Sequence, residues 1–188
     1  MRALRLLSHL VVAALALAAA VPARADLRIS DLDVFLNDHE VTVHVVLLGT
    51  LPDGLHEGIQ SGIPAHVQLV IELWQFQRLL PDRMLITKTI ERTLTYNVVT
   101  KEFKVASLKG ETRPIHTTRD VRDAQRVLSD IRGVKITPAS ALDPAAVIYV
   151  RVHAATALNG ENTFVARMNG TAEQTIRQSD YRTIERVQ

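Results

Sequence analysis

Four stretches of this chain alternate apolar and polar side chains with a period of two: EVTVHVVLL from Glu40, AHVQLVIELW from Ala65, MLITKTIERTLTY from Met84 and AVIYVRVHAA from Ala146. Successive side chains of a strand point to opposite faces, so such runs make strands with one buried face, and their β-branched content weighs against helix. Turn-forming clusters stand between them, at Asn37–Glu40, Pro52–Gly54, Pro81–Asp82, Asn97–Thr100 and Asp143–Pro144. Strands at hairpin spacing, with too few helices to cross between parallel neighbours, predict a mainly β fold: an antiparallel, β-sandwich-like domain with one amphipathic helix and one short helix.

The remaining elements follow from the same patterns. Leu27–Leu36 precedes the strand from Glu40 and makes a hairpin with it, with Ile29 and Phe35 on one parity. Leu55, Ile59 and Ile63, spaced by four, put one side of a short helix over Leu55–Ile63, weakened by Gly58 and Gly62 and stopped by Pro64. Glu102–Ser107 returns beside the Met84–Tyr96 strand, and Val134–Thr137 is a short strand. Over Thr117–Arg132 the period changes, with Val121, Ala124, Val127 or Leu128, and Ile131 recurring at three and four. Thr117 or Thr118 is placed to cap that helix at its start and Gly133 at its end.

The N-terminus bears on compartment. Arg2 and Arg5 precede a run of 12 apolar residues, Leu10–Val21, followed by Pro22 and by Ala23-Arg24-Ala25. This is the layout of a cleavable secretory signal, and the run is short of the roughly 20 residues a membrane-crossing helix needs. Residues 1–25 are therefore expected to be a signal peptide, 26–158 a β-rich domain, and 159–188 a polar C-terminal segment that either adds an edge strand or stays loose. No transmembrane span is expected after the signal, and the localisation expected is periplasmic.

Charge argues in the same direction. The chain has 22 basic and 20 acidic side chains, but Arg2, Arg5 and Arg24 belong to the signal, which holds no acid. That leaves 19 basic residues against 20 acidic ones in 163 residues, so the alkaline precursor gives no support for nucleic-acid binding. The absence of cysteine excludes thiol nucleophiles, thiolate metal sites and disulfides, and leaves packing to hold the domain.

Four pieces of the chain carry a resemblance: the opening hairpin, EGIQSGIPAHVQLVIELW, KTIERTLTYNVVTKEFKV, and TTRDVRDAQRVLSDIRGVKI leading to LDPAAVIYVRVHA. In their order and pattern they resemble an exported bacterial family known as domain of unknown function 4390, over about Leu27–Leu158. The resemblance implies export, a non-catalytic role and association with envelope signalling beside membrane sensor kinases. It supplies no catalytic residues. Members end in a tryptophan-containing segment, from which this tail departs, having no tryptophan.

The residues that carry chemistry fit surfaces better than sites. Ser61 has Ile59 where a nucleophile elbow needs glycine, and reads as a helix-surface serine. His39, His44, His56 and His66 lack the spacing of a helical zinc motif. Asp31 and Asp33 share a strand face and read as a solvated edge. Lys101, Lys104, Lys109 and Arg113 form a basic face diluted by Glu102 and Glu111. Trp74 stands out, because with Phe76, Leu79 and Leu80 it makes an apolar cluster beside a bend. Either it is core or hinge, or it is a patch for a partner or the membrane surface.

The expected function is a non-catalytic periplasmic interaction module, accessory to envelope signalling, with no metal or cofactor. Its partner is an envelope protein such as a membrane sensor kinase, met through Trp74, Phe76, Leu79 and Leu80. The alternative is a periplasmic small-ligand or lipid-binding protein with an apolar pocket between the sheet and the Thr117 helix.

Overall fold

A computed structural model describes residues 26–183. The expected signal segment, 1–25, and the end of the polar C-terminal segment, 184–188, lie outside the described residues. Strands β1 (Arg28–Asn37) and β2 (Glu40–Leu48) form the opening hairpin. Their turn puts Asp38 and His39 at φ 51° and 62°, the left-handed pair whose twist matches that of the flanking strands. Strand β7 (Asp130–Pro138) joins β2 to complete a three-stranded sheet, β1-β2-β7. The second sheet has six strands: β3 (Ala65–Gln75), β4 (Arg83–Asn97), β5 (Glu102–Lys109), β6 (His116–Thr118), β8 (Ile148–Leu158) and β9 (Ala172–Gln178). Their order is β6-β5-β4-β3-β8-β9. All pairings are antiparallel.

The period-two runs do what their pattern requires. On β3, Val67, Leu69, Ile71 and Leu73 are buried, while His66, Gln68, Val70, Glu72 and Trp74 face outward. Opposite them in register, Val150, Val152 and Ala154 of β8 continue the buried face. Val41, Val43, Val45 and Leu47 of β2 bury theirs into the same core. Helices α1 (Asp53–Gln60) and α2 (Val121–Ser129) add Leu55, Ile59, Ala124 and Leu128 to it, and a third, five-residue helix, α3 (Phe164–Met168), precedes β9. The molecule is mainly β and sandwich-like, as the periodicity predicts.

The two sheets are tied at both margins. Lys88 Nζ of β4 donates to the Lys135 carbonyl of β7 at 2.7 Å. On the other side Glu173 of β9 accepts from the Leu27 backbone N–H at 2.7 Å, Arg177 donates to the carbonyls of Ile29 and Ser30, and Arg182 donates to that of Val34. The β-sheet therefore runs on past Leu158, and the polar tail supplies an edge strand that holds the first strand of the chain.

Five local expectations need correction. The second helix spans nine residues, not sixteen: Asp120 caps it by accepting from the Arg122 N–H, and Asp130 already begins β7. Thr117 and Thr118 lie in β6, and Ile131, taken as a helical core position, is a buried strand residue. Gly133 is no cap; with φ 70° it sits in a bulge where Arg132 and Gly133 oppose His44 alone. The first helix ends at Gln60, because Gly62 at φ 88° turns the chain and the Ile63 N–H closes on Gly58, leaving Ile63 outside the buried stripe. A bulge at Ser30 shifts the parity of β1, so Ile29 and Val34, not Ile29 and Phe35, are its buried residues.

Candidate functional site

The segment between β3 and β4, Phe76 to Asp82, is short and largely apolar at its turn. Leu79 is 93 % exposed, Leu80 68 % and Phe76 42 %, values that separate them from every residue of the core cluster. Met84, at the start of β4, is half exposed. The loop is not loose for all that. The Asp82 carboxylate turns inward and accepts from the Gln77 N–H at 3.1 Å and from the Tyr149 hydroxyl at 2.9 Å, closing the loop onto β8. The Phe76 N–H donates to the Val147 carbonyl at 2.8 Å.

Trp74 lies below that loop on the outer face of the second sheet, partly buried. Its ring stacks on Tyr149 at 6.4 Å between centroids and 7° between planes, and its Nε1–H donates to Glu72 at 2.8 Å. The Arg151 guanidinium lies over it, 4.9 Å from the ring centroid, a favourable cation–π position. Tyr181, from the tail, packs edge-on against both Tyr149 (5.1 Å) and Phe76 (5.3 Å). A continuous series of rings, Trp74–Tyr149–Tyr181–Phe76, thus ends at Phe76, where the loop that carries the two exposed leucines begins. Burial, aided by the hydrogen bond to Asp82 and its charge, pushes the Tyr149 hydroxyl up to about 12, so it stays a donor at neutral pH.

Trp74 and Phe76 are therefore joined through the two tyrosines, while Leu79 and Leu80 stand at the turn above them. Sequence reasoning missed Asp82, Tyr149, Arg151 and Tyr181 as parts of this assembly. Tyr149 and Arg151 share the outward parity of the last alternating run, which is a visible signal. Tyr181 gives none, because its position depends on the tail returning along β8, where Arg182 and Ile148 exchange backbone hydrogen bonds.

The other candidates are not brought together. Ser61 Oγ donates to the Glu57 carbonyl one helical turn back. His39 lies in the first turn, His44 of β2 lies edge-on to Phe35 of β1, His56 sits on α1, and His66 of β3 pairs with Glu91 at 3.2 Å. Among the described residues no three His, Cys, Asp or Glu side chains cluster as a metal ion would require. Asp31 and Asp33 are exposed on edge strand β1. Of the basic face, Arg113 alone lines a cleft of about 430 Å³, with Lys88, Arg132 and Lys135, but Glu111 and Asp130 line it too.

A second cleft of about 280 Å³ opens between α1 and α2. It is lined by Leu51, Ile59, Phe103 and Val121, with His56 and Arg119 at its polar side. Arg119 is engaged there by Glu102 at 3.2 Å.

No helix among the described residues is long and apolar enough to cross a membrane. No curated protein and no solved structure matches the chain. The family model for the domain of unknown function DUF4390 matches residues 24–159, which takes in both helices that flank the core and every strand but the last. By that match the chain belongs to the DUF4390 family.

Proposed function

We propose that this protein is a non-catalytic, exported interaction module that attaches to a component of the cell envelope and is accessory there to a membrane protein such as a sensor kinase. The observation that carries this reading is the β3–β4 loop, whose Leu79 and Leu80 are presented to solvent while its ends are held, Phe76 by the ring series and Asp82 by Gln77 and Tyr149. Soluble proteins rarely keep large apolar side chains together at a rigid protrusion unless something covers them. The layout of residues 1–25 supports periplasmic delivery. A non-catalytic role is supported by the engagement of the chemistry-bearing side chains in local structure, Ser61 in its helix and His66 with Glu91.

The test is capture of the tagged full-length protein from its own cells after brief crosslinking, alongside the Leu79→Asp/Leu80→Asp variant. Enrichment of one membrane protein by the parent and its loss in the variant is the expected result. A parent recovered alone, with no envelope component attached, would sink the reading.

The cleft between α1 and α2 favours a second reading, a carrier of a small apolar ligand. Its apolar floor suits such a molecule, although its volume lies just under the usual range of about 300–1,000 Å³ for ligand sites. Native mass spectrometry of protein purified from its host distinguishes the two: an added mass supports the carrier, and a clean apo mass counts against it.

A further inference from the structure

We infer that the β3–β4 loop docks on an anionic lipid surface, with Leu79 and Leu80 entering the headgroup boundary and Arg78 and Arg83 meeting lipid phosphates. The inference rests on the reading of that loop as the docking element and names what it touches. Three observations carry it.

The first is shape. The apolar side chains stand on a convex turn, with Leu79 93 % exposed, and not in a groove that would receive a helix or strand of a protein. A convex apolar tip is complementary to a deformable medium, which closes around it without a preformed pocket. The second is charge. Arg78 and Arg83 flank the leucines, both are exposed, and among the described residues neither takes part in an ion pair. The one acid of the loop, Asp82, is turned inward to Gln77 and Tyr149 and so presents little charge at the tip. Arginines beside exposed leucines are the arrangement that anionic headgroups attract.

The third is the ring series beneath the tip. Trp74, half-buried, and Tyr181, 51 % exposed, each carry an apolar body with a polar end, the kind of side chain that settles at headgroup depth. Arg151 over Trp74 adds a further cation at that level. A second exposed apolar cluster, Phe164, Val165 and Met168 on α3, lacks this combination. Its one arginine, Arg167, is folded back onto Asn162 at 2.8 Å. A third, Val98, Val99 and Ile115, has lysines nearby but no ring series.

Trp74 is the single tryptophan of the chain and lies under the proposed contact, so its emission reports directly on the site. The experiment adds the full-length mature protein to phosphatidylcholine vesicles with and without phosphatidylglycerol, and reads both co-sedimentation and Trp74 emission. Binding to the mixed vesicles, with a shift of emission to shorter wavelength, is expected. Leu79→Asp/Leu80→Asp should weaken it at least about tenfold, and Arg78→Glu/Arg83→Glu should do the same and remove its preference for anionic lipid. All four side chains are exposed, so circular dichroism should show the variants folded.

Absence of vesicle binding overturns the inference, as does binding that the leucine variant leaves unchanged. If vesicles fail while cellular capture of an envelope protein is still lost on Leu79→Asp/Leu80→Asp, the tip meets protein, and the lipid inference falls while the docking reading stands. If neither vesicle binding nor capture depends on the tip, both fall.

Discussion

Arg92 is the largest fully buried side chain among the described residues, only 1 % exposed. It lies on the inward face of β4, opposite Val67 in register, where the alternation calls for an apolar residue. Its guanidinium forks onto both Glu111 oxygens and donates to the Val127 and Asp130 carbonyls at 2.6 and 2.9 Å, so it also closes the C-terminal end of α2. Burial alone would raise the Glu111 carboxyl, but the hydrogen bond and charge of Arg92 outweigh it and leave the group lowered. Arg92→Ala strands Glu111 and the helix end together, and is expected to cost about 3–5 kcal/mol in urea denaturation. Arg92→Met with Glu111→Leu, which removes both charges, should recover part of that. A second titratable group reports on the entry to the same helix. Asp123 is drawn down to about 2 by Arg126 at 2.6 Å and His116 at 2.7 Å. A carboxylate lowered on folding contributes stability above its unfolded value near 3.8, and that contribution is lost as pH falls through about 2. Melting temperatures measured between pH 5 and pH 2 should therefore fall more steeply for the parent than for Asp123→Asn.

Element boundaries in this protein are set by single backbone positions. Gly133 holds φ 70° in the β7 bulge, and a methyl group there would meet nothing within 4 Å. Gly133→Ala therefore carries a conformational cost alone, about 1 kcal/mol, read as a drop in melting temperature of about 2–4 °C. The strands were legible because burial on one face imposes a period of two that composition displays directly. Val67 to Leu73 on β3 and Val41 to Leu47 on β2 are plain cases. What was not legible is where helix gives way to strand inside the Thr117–Arg132 stretch. Val121, Ala124 and Leu128 keep a helical spacing, and Ile131 continues it by coincidence, although it is buried from β7 in register with Val45. The short strand β6 escaped for a related reason, since His116–Thr118 is too brief to display any period. At the candidate site the apolar cluster could be read from Trp74 to Leu80. The hydrogen bond of Tyr149 to Asp82 and the packing of Tyr181 on Phe76 could not, because they join positions 67 and more residues apart.

For the molecule as a whole, the polar tail is structural. β9 covers the open edge of β8 along its length from Ala172↔Ala157 to Arg151↔Gln178, and its inward side chains grip β1. Ending the chain after Leu158 would leave β8 as a long uncovered edge and remove the Glu173, Arg177 and Arg182 contacts to β1. Such a truncation is expected to unfold or aggregate, checked by size-exclusion chromatography and amide hydrogen exchange of β1. A folded, monomeric product would show the tail to be dispensable. The same closure has a bearing on biosynthesis. Since the first strand is fastened by residues near the end, β1 completes its native contacts only when nearly all of the chain has been translated. Under the proposed export, in which the chain is threaded through a translocation pore in extended form, that lateness is of use, because the last step of folding waits for residues that emerge last.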